Sequence, residues 1–114
     1  MLSAYLTTHE GRRTVSVVGD VDLSSARQLE DALRAAWAVS PHRIVVDLSN
    51  VTFCDCAGLH VLLDARALAR QAGIAFVITG ATARPVSRLI HLAHAERPLR
   101  LHTPWAVQLT AHTA

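Results

Sequence analysis

The sequence predicts an α/β fold in which a mainly parallel or mixed sheet of about four to five strands packs with three to four helices. Short β-branched runs, such as Ile44–Val46 and Ile74–Thr79, alternate along the chain with segments of helical spacing. Ile44–Val46 is continuously apolar, as expected of a strand buried on both faces of a parallel sheet. Strands that alternate with crossover helices imply right-handed connections between parallel neighbours.

Length and composition restrict the class of protein further. We expect residues 1–114 to form one domain that buries roughly two-thirds of its unfolded surface. The sequence shows no signal-peptide pattern and no apolar run of membrane-spanning length, which predicts a cytoplasmic protein without membrane insertion. The eleven arginines are scattered, there is no lysine and the net charge is +2, so nucleic-acid binding is not predicted.

The first part of the chain predicts a β-hairpin and then a helix. Leu2–Thr8 alternates loosely, residues 9–12 supply a turn and Thr14–Val18 has clear period-two alternation. Ser25 offers N-cap chemistry, and with Gln28 it fits a capping box. The helix has one apolar face and ends near Ser40 and Pro41; the face contains Leu29, Ala32, Leu33 and Ala36.

The central part predicts a buried strand, a tight turn and a second helix. The strand Ile44–Val46 is predicted to break at residues 47–50, and the turn covers residues 55–58. Residue 56 would precede the helix, where unpaired N–H groups and the macrodipole favour negative charge. The core stripe of this helix is predicted to contain Gly58, Val61, Leu62, Ala65, Leu68, Ala69 and Ala72.

The last part continues the alternation. Gly73 is expected to end the second helix, and Ile74–Thr79 follows as a buried strand. A third helix is predicted over residues 82–94, a short strand over residues 99–101, and a last short helix from Pro104.

Residues 44–63, which read IVVDLSNVTFCDCAGLHVLL, resemble the signature of the STAS domain in its anti-sigma factor antagonist branch. That signature has the form I-V-(V/L)-D-L-S-x-V-x-F-x-D-S-(S/A)-G-L-x-V-L-L. Residues 19–22, Gly-Asp-Val-Asp, resemble the family's G-(E/D)-(L/V)-D turn before the first helix. The resemblance covers essentially the whole chain and implies the STAS fold. One position departs from the pattern, because Cys56 stands where the family has its phosphorylated serine.

The resemblance implies a partner-switching mechanism. An unmodified antagonist binds an anti-sigma factor of the histidine-kinase-like ATPase fold and frees the sigma factor, and phosphorylation of the serine ends the interaction. In the family, the two signature turns lie close together and form the surface that the kinase recognises. The predicted partner-binding residues are therefore Asp20, Asp22, Ser24, Ser25, Asp55, Cys56, Ala57, Gly58, Leu59, His60 and Leu63.

Two groups of these residues have a second interpretation. Asp22 and Asp55 flank helix starts, so local capping and turn chemistry explain them about as well as a partner does. Leu59 and Leu63 lie off the core stripe and are predicted to be partly exposed. They could form a small docking patch beside residue 56, or they could be ordinary scattered surface leucines.

The cysteines do not predict catalysis or a cofactor. Cys54, Cys56 and His60 form a C-x-C-x3-H string, but a structural zinc needs four ligands and the sequence has no second cluster of suitable spacing. Only one residue separates Cys54 from Cys56 in a strand-like segment, and a disulfide between them is not expected. A helix N-terminus favours a thiolate at Cys56, yet Asp55 opposes it and the motif places no base nearby.

The sequence therefore predicts an antagonist that keeps the binding surface and has lost serine phosphorylation, expected to be a monomer or weak dimer. A second version makes the switch a redox one, with Cys56 oxidised or capped by a small thiol. A different class of function is an accessory subunit that regulates a membrane transporter of the ABC type. STAS-like modules also occur in that role, and they need not carry the serine.

Overall fold

The computed structural model describes residues 2–92 and 101–102, and it confirms the α/β class. The described elements are β1 (Leu2–His9), β2 (Arg12–Val21), α1 (Ala26–Trp37), β3 (Arg43–Cys54), α2 (Cys56–Ala72), β4 (Ala75–Thr79), α3 (Arg84–Leu92) and β5 (Leu101–His102). The strands form one sheet in the order β1-β2-β3-β4-β5. β1 is antiparallel to β2 and the other neighbours are parallel, so the sheet is mixed, as predicted. The helix predicted from Pro104 lies outside the described residues.

The predicted N-terminal hairpin is confirmed, but the capping box is wrong. Glu10 and Gly11 form the turn with positive φ angles of 48° and 80°. Ser25 precedes α1 but makes no side-chain capping bond to it. Its hydroxyl donates to the Asp20 carbonyl at 2.9 Å and accepts from the Asp22 N–H at 3.0 Å. The hydroxyl is therefore used within the preceding loop and is not available to the helix.

The predicted break in the central strand is wrong, because β3 continues through residues 47–50 to Cys54. Ser16 pairs with Asp47 and Val18 with Asn50, so β3 has one extra residue there relative to β2. A second extra residue lies where Gly19 pairs with Val51 and Asp20 with Phe53. These irregularities are β-bulges, which interrupt period-two alternation without ending a strand.

The core lies between the sheet and the helices, and α2 buries a different set of side chains from the predicted stripe. Leu62, Ala65 and Ala69 are buried as predicted, but Leu68 is 58% exposed. Leu59, predicted to be partly exposed, is only 4% exposed, and Leu63 is half-buried against the core. The first turn of α2 packs closely on the ends of β2 and β3, so a wider sector of the helix is covered there.

The described elements after α2 agree in type and order with the prediction, while residues 93–94 of the predicted third helix and 99–100 of the predicted short strand lie outside the described residues. Gly73 ends α2 with φ 73°, and the Ile74 N–H donates to the Ala69 carbonyl at 2.8 Å. β4 begins at Ala75, one residue later than expected, and α3 begins at Arg84. In the described part of the chain, every helix is too short or too polar to cross a membrane.

Candidate functional site

The candidate site is formed by two loops at the carboxyl ends of neighbouring parallel strands. Residues 20–25 cover the end of β2 and its connection to α1, and residues 53–58 cover the end of β3 and the start of α2; we call these two segments the loop pair. The Asp55 N–H donates to the Val21 carbonyl at 2.9 Å, and the Leu23 N–H donates to Asp55 Oδ2 at 3.2 Å. The Thr52 hydroxyl donates to Asp20 Oδ1 at 2.8 Å. Contacts between β2 and β3 thus hold both predicted signature turns in one surface.

Asp55 is the N-cap of α2. Its backbone is extended, and Oδ1 accepts from the N–H groups of Ala57 at 2.9 Å and Gly58 at 3.2 Å. Two of the unpaired donors in the first turn are thereby satisfied, and the negative charge lies at the positive end of the helix. Since Oδ2 also accepts from Leu23, the same carboxylate caps the helix and joins the two loops.

Asp22 organises the first loop. Its Oδ1 accepts from the Ser24 hydroxyl at 2.6 Å and from the N–H groups of Ser24 and Ser25 at 3.0 and 3.1 Å. The Ser24 hydroxyl is the largest cause of a lowered pKa for the Asp22 carboxyl. The lowered pKa means that the loop is more stable when Asp22 is ionised and loses this contribution as the pH falls through that pKa. The local turn interpretation therefore accounts for the carboxylate contacts of Asp22.

Gly58 allows α2 to start close to the sheet. A Cβ atom at this position would collide with the Val21 side chain and lie 2.8 Å from Cys54 Sγ. Of the predicted contact residues, Ser25, Gly58 and Leu59 are buried, so they can affect a partner only through the shape of the surface. Asp20, Ser24, Cys56 and His60 are exposed, while Asp22, Asp55, Ala57 and Leu63 are half-buried.

The two cysteines differ sharply in environment, although only Asp55 separates them. Cys56 is the first residue of α2 and is exposed, whereas Cys54 is buried among core side chains. Burial, assisted by the charges of Asp55 and Cys56, raises the pKa of the Cys54 thiol from its ordinary 9.0 to about 11. Cys56 is therefore the cysteine that a partner or reagent can reach.

This difference predicts selective alkylation. At pH 8, iodoacetamide should modify Cys56 first, because the raised pKa of Cys54 reduces its thiolate fraction about 100-fold and burial blocks access. Intact-mass spectrometry over time should show one label on the folded protein and two after denaturation. Cys56→Ala should take up none while folded. Two labels added to the folded wild type at similar rates would contradict the assigned environments.

Sequence reasoning missed two apolar side chains at the loop pair. Leu23 is 82% exposed and Phe53 is 45% exposed, although both are large and apolar. Phe53 pairs with Asp20 across the strands, while the Leu23 backbone bonds to Asp55. The sequence did contain a signal for Leu23, because it is an apolar residue within the polar turn that follows Asp22. For Phe53 there was none, because its outward orientation depends on the bulges in β3.

The surface of the loop pair is mixed in chemical character. It has exposed apolar side chains beside carboxylates, and residues 2–92 contain no group of three histidine, cysteine or acidic residues that could hold a metal ion. The fold and the site thus define a small α/β module with exposed apolar side chains beside carboxylates at a strand-to-helix turn.

Comparisons with known proteins identify the family. The family model described as Mlab, STAS domain, matches residues 6–102. The anti-sigma-F factor antagonist RsfB of Mycobacterium tuberculosis is 30% identical over 101 residues, covering 88% of this chain and 80% of that protein. The chain belongs to the STAS domain family, in the branch of the anti-sigma factor antagonists.

Solved structures agree with this assignment. An anti-sigma factor antagonist from Mycobacterium paratuberculosis superposes with a TM-score of 0.78 at 32% identity, covering 97% of this chain and 93% of that one. The unphosphorylated form of the anti-sigma factor antagonist SpoIIAA, a Bacillus protein, superposes with a TM-score of 0.73 and covers 98% of both chains. Its identity is only 10%, so this second likeness shows a shared fold.

Proposed function

We propose that this protein binds an anti-sigma factor of the histidine-kinase-like ATPase fold through the loop pair and thereby releases a sigma factor. The observation that carries the proposal is the exposure of Leu23 and Phe53 beside the hydrogen-bonded carboxylates of Asp20 and Asp55. Large apolar side chains are costly to leave in water unless a partner covers them. Sequence similarity to antagonists along most of the chain supports the same partner class.

The proposed surface combines exposed apolar side chains with polar neighbours. Leu23 lies between Asp22 and Ser24 in the first loop, and Phe53 precedes the capped turn at Asp55. Interfaces typically have an apolar anchor surrounded by polar groups that fix orientation. The loop pair is joined by backbone and carboxylate hydrogen bonds, so little ordering is needed on binding.

We further propose that binding is not ended by serine phosphorylation, because residue 56 is a cysteine. The exposed position at the start of α2 suits a modified side chain, since backbone N–H groups and the helix dipole favour negative charge there. A thiol is not an ordinary substrate for a serine kinase. The protein would then act as an antagonist that stays bound, or compete with relatives that can be phosphorylated.

Truncation of Leu23 tests the function. Immobilised wild-type protein is used to capture partners from a lysate of the native cells with and without ADP, and a captured ATPase is then purified and titrated. We expect Leu23→Ala to weaken binding about tenfold. This corresponds to a loss of about 1.4 kcal/mol of binding free energy, as expected when one apolar anchor that is buried in the complex is truncated. Leu23 is 82% exposed in the unbound chain, so the thermal unfolding midpoint should change little.

Leu68→Ala is the matched control, because Leu68 is also an exposed leucine, at 58%, but lies in the fourth turn of α2, away from the loop pair. It should leave the affinity unchanged. Equal losses from both variants would show that the loop pair is not the binding surface. Capture of a permease or an ABC ATPase in place of a histidine-kinase-like ATPase would move the protein to transport regulation.

A further inference from the structure

The outer edge of β1 is a sheet edge that no described strand covers. β1 spans eight residues, Leu2–His9, and pairs with β2 over its whole length without a bulge. On its other side, the structure shows no strand partner within residues 2–92 and 101–102. The opposite edge of the sheet is β5, which has only two described residues. The outer edge of β1 thus presents a row of backbone donors and acceptors along eight residues.

β1 also lacks the features that normally prevent edge strands from pairing with another chain. Proteins protect such edges with charged side chains, prolines, bulges or very short strands. Between Leu2 and Thr8 there is no charged residue and no proline. Tyr5, Leu6, Thr7 and Thr8 are exposed, and residues of these types favour extended structure or pack well across strands.

We propose that two copies of this chain pair antiparallel through β1, joining their sheets across a two-fold axis. Side chains alternate between the faces of a strand, so the two copies must pair residues that lie on the same face. With Tyr5 on the axis, Leu6 lies opposite the partner's Ala4 and Leu2 lies opposite the partner's Thr8. Leu2 and Ala4 pack against the core, so this register places the exposed Leu6 beside an apolar neighbour on the core face.

Charge and geometry permit this self-pairing. β1 has no charged residue before His9. Because the two copies of β1 run antiparallel, Arg12 and Arg13 of one copy lie at the opposite end of the interface from the same two residues of the other copy. Leu2 pairs with Gly19, next to Asp20, so each loop pair lies beyond the Leu2 end of its own strand. The interface is formed by β1, whereas the loop pair belongs to β2 and β3, so the proposed dimer does not depend on which partner the loop pair binds.

Sedimentation velocity and amide hydrogen exchange over a range of protein concentrations test the proposal. An interface of this size is small, so we expect a micromolar to millimolar Kd. The β1 amides should gain protection as the concentration rises. Tyr5→Lys places two like charges across the axis and should raise the dimer Kd at least about tenfold. Tyr5 is 59% exposed, so the variant should remain folded by circular dichroism.

Leu68→Lys is the control, because Leu68 is an exposed residue of α2 and the substitution adds the same charge there. We expect this variant to leave the dimer Kd unchanged. A protein that stays monomeric at millimolar concentration would overturn the proposal. So would protection of the β1 amides that does not depend on concentration, because another segment of the same chain would then cover the edge. Dissociation by Leu68→Lys and not by Tyr5→Lys would place the dimer interface on α2.

Discussion

Cys56→Asp should abolish binding of the anti-sigma factor while leaving the fold intact. Residue 56 is the first residue of α2, where a negative charge is favoured by the helix dipole, so unfolding experiments should show equal or slightly higher stability. In the complex, the new carboxylate would lie beside Asp55 in a desolvated interface, and like-charge contacts of this kind cost several kcal/mol. We expect an affinity loss of about 100-fold or more, measured by isothermal titration calorimetry.

Cys56→Asn separates charge from shape. Asparagine matches aspartate in size but is neutral, so this variant should keep most of the wild-type affinity. If both variants lose affinity equally, the shape of the side chain at residue 56 controls binding and not its charge. If neither variant loses affinity, residue 56 lies outside the interface and the proposed switch position is wrong.

Cys56→Ser tests the same position for a gain of function. If only the missing hydroxyl prevents modification, the kinase and ATP should phosphorylate this variant at residue 56 and leave the wild type unmodified. A phosphate adds about −1.5 to −2 charge at pH 7, so the modified variant should bind as weakly as Cys56→Asp. Phosphopeptide mapping checks the site. Phosphorylated wild-type protein mapped to Cys56 would contradict the loss of the switch.

Gly58→Ala should have the largest effect on the stability of the site. The added Cβ would collide with the Val21 side chain and approach Cys54 Sγ, and both residues are buried. Overpacking of this kind costs about 1–3 kcal/mol, while alanine regains about 1 kcal/mol of helix propensity, so we expect a net loss of up to about 2 kcal/mol. Relief of the collision would move the start of α2 outward and weaken the Leu23 to Asp55 hydrogen bond.

Urea unfolding of single and double variants separates this collision from other effects. Val21→Ala removes the Cγ1 atom that the new Cβ would meet. The double variant Val21→Ala with Gly58→Ala should therefore be more stable than the sum of the two single losses predicts. Simple additivity would show that the close approach at Gly58 does not control stability.

The sequence was sufficient for features that depend on short-range chemistry. The hairpin follows from period-two alternation and the turn at Gly11, and the end of α2 follows from Gly73 in a left-handed conformation. Both are decided by backbone conformation within a few residues. The capping box at Ser25 failed for a related reason, because its hydroxyl could also bond within the preceding loop and the sequence does not rank the two choices.

Tertiary structure decided the features that depend on distant residues. The bulges in β3 depend on its register with β2, and they turn Phe53 toward the surface. Leu59 is buried because the start of α2 packs against β2 and β3. Leu68 belongs to the predicted core stripe but lies farther along α2, and it is exposed there. A helical wheel assumes one uniform covered face, whereas coverage here changes along α2.

The properties of the candidate site also fall into two groups, those that the sequence predicts and those that only the tertiary structure decides. The signature turns, the cysteine at residue 56 and the family were readable from the sequence, since they depend only on the order of residues. The joining of the two turns through Asp55, the opposite environments of Cys54 and Cys56, and the exposure of Leu23 required the tertiary structure. These properties depend on how parallel strands bring together residues that are about thirty positions apart in the chain, as Leu23 and Asp55 are.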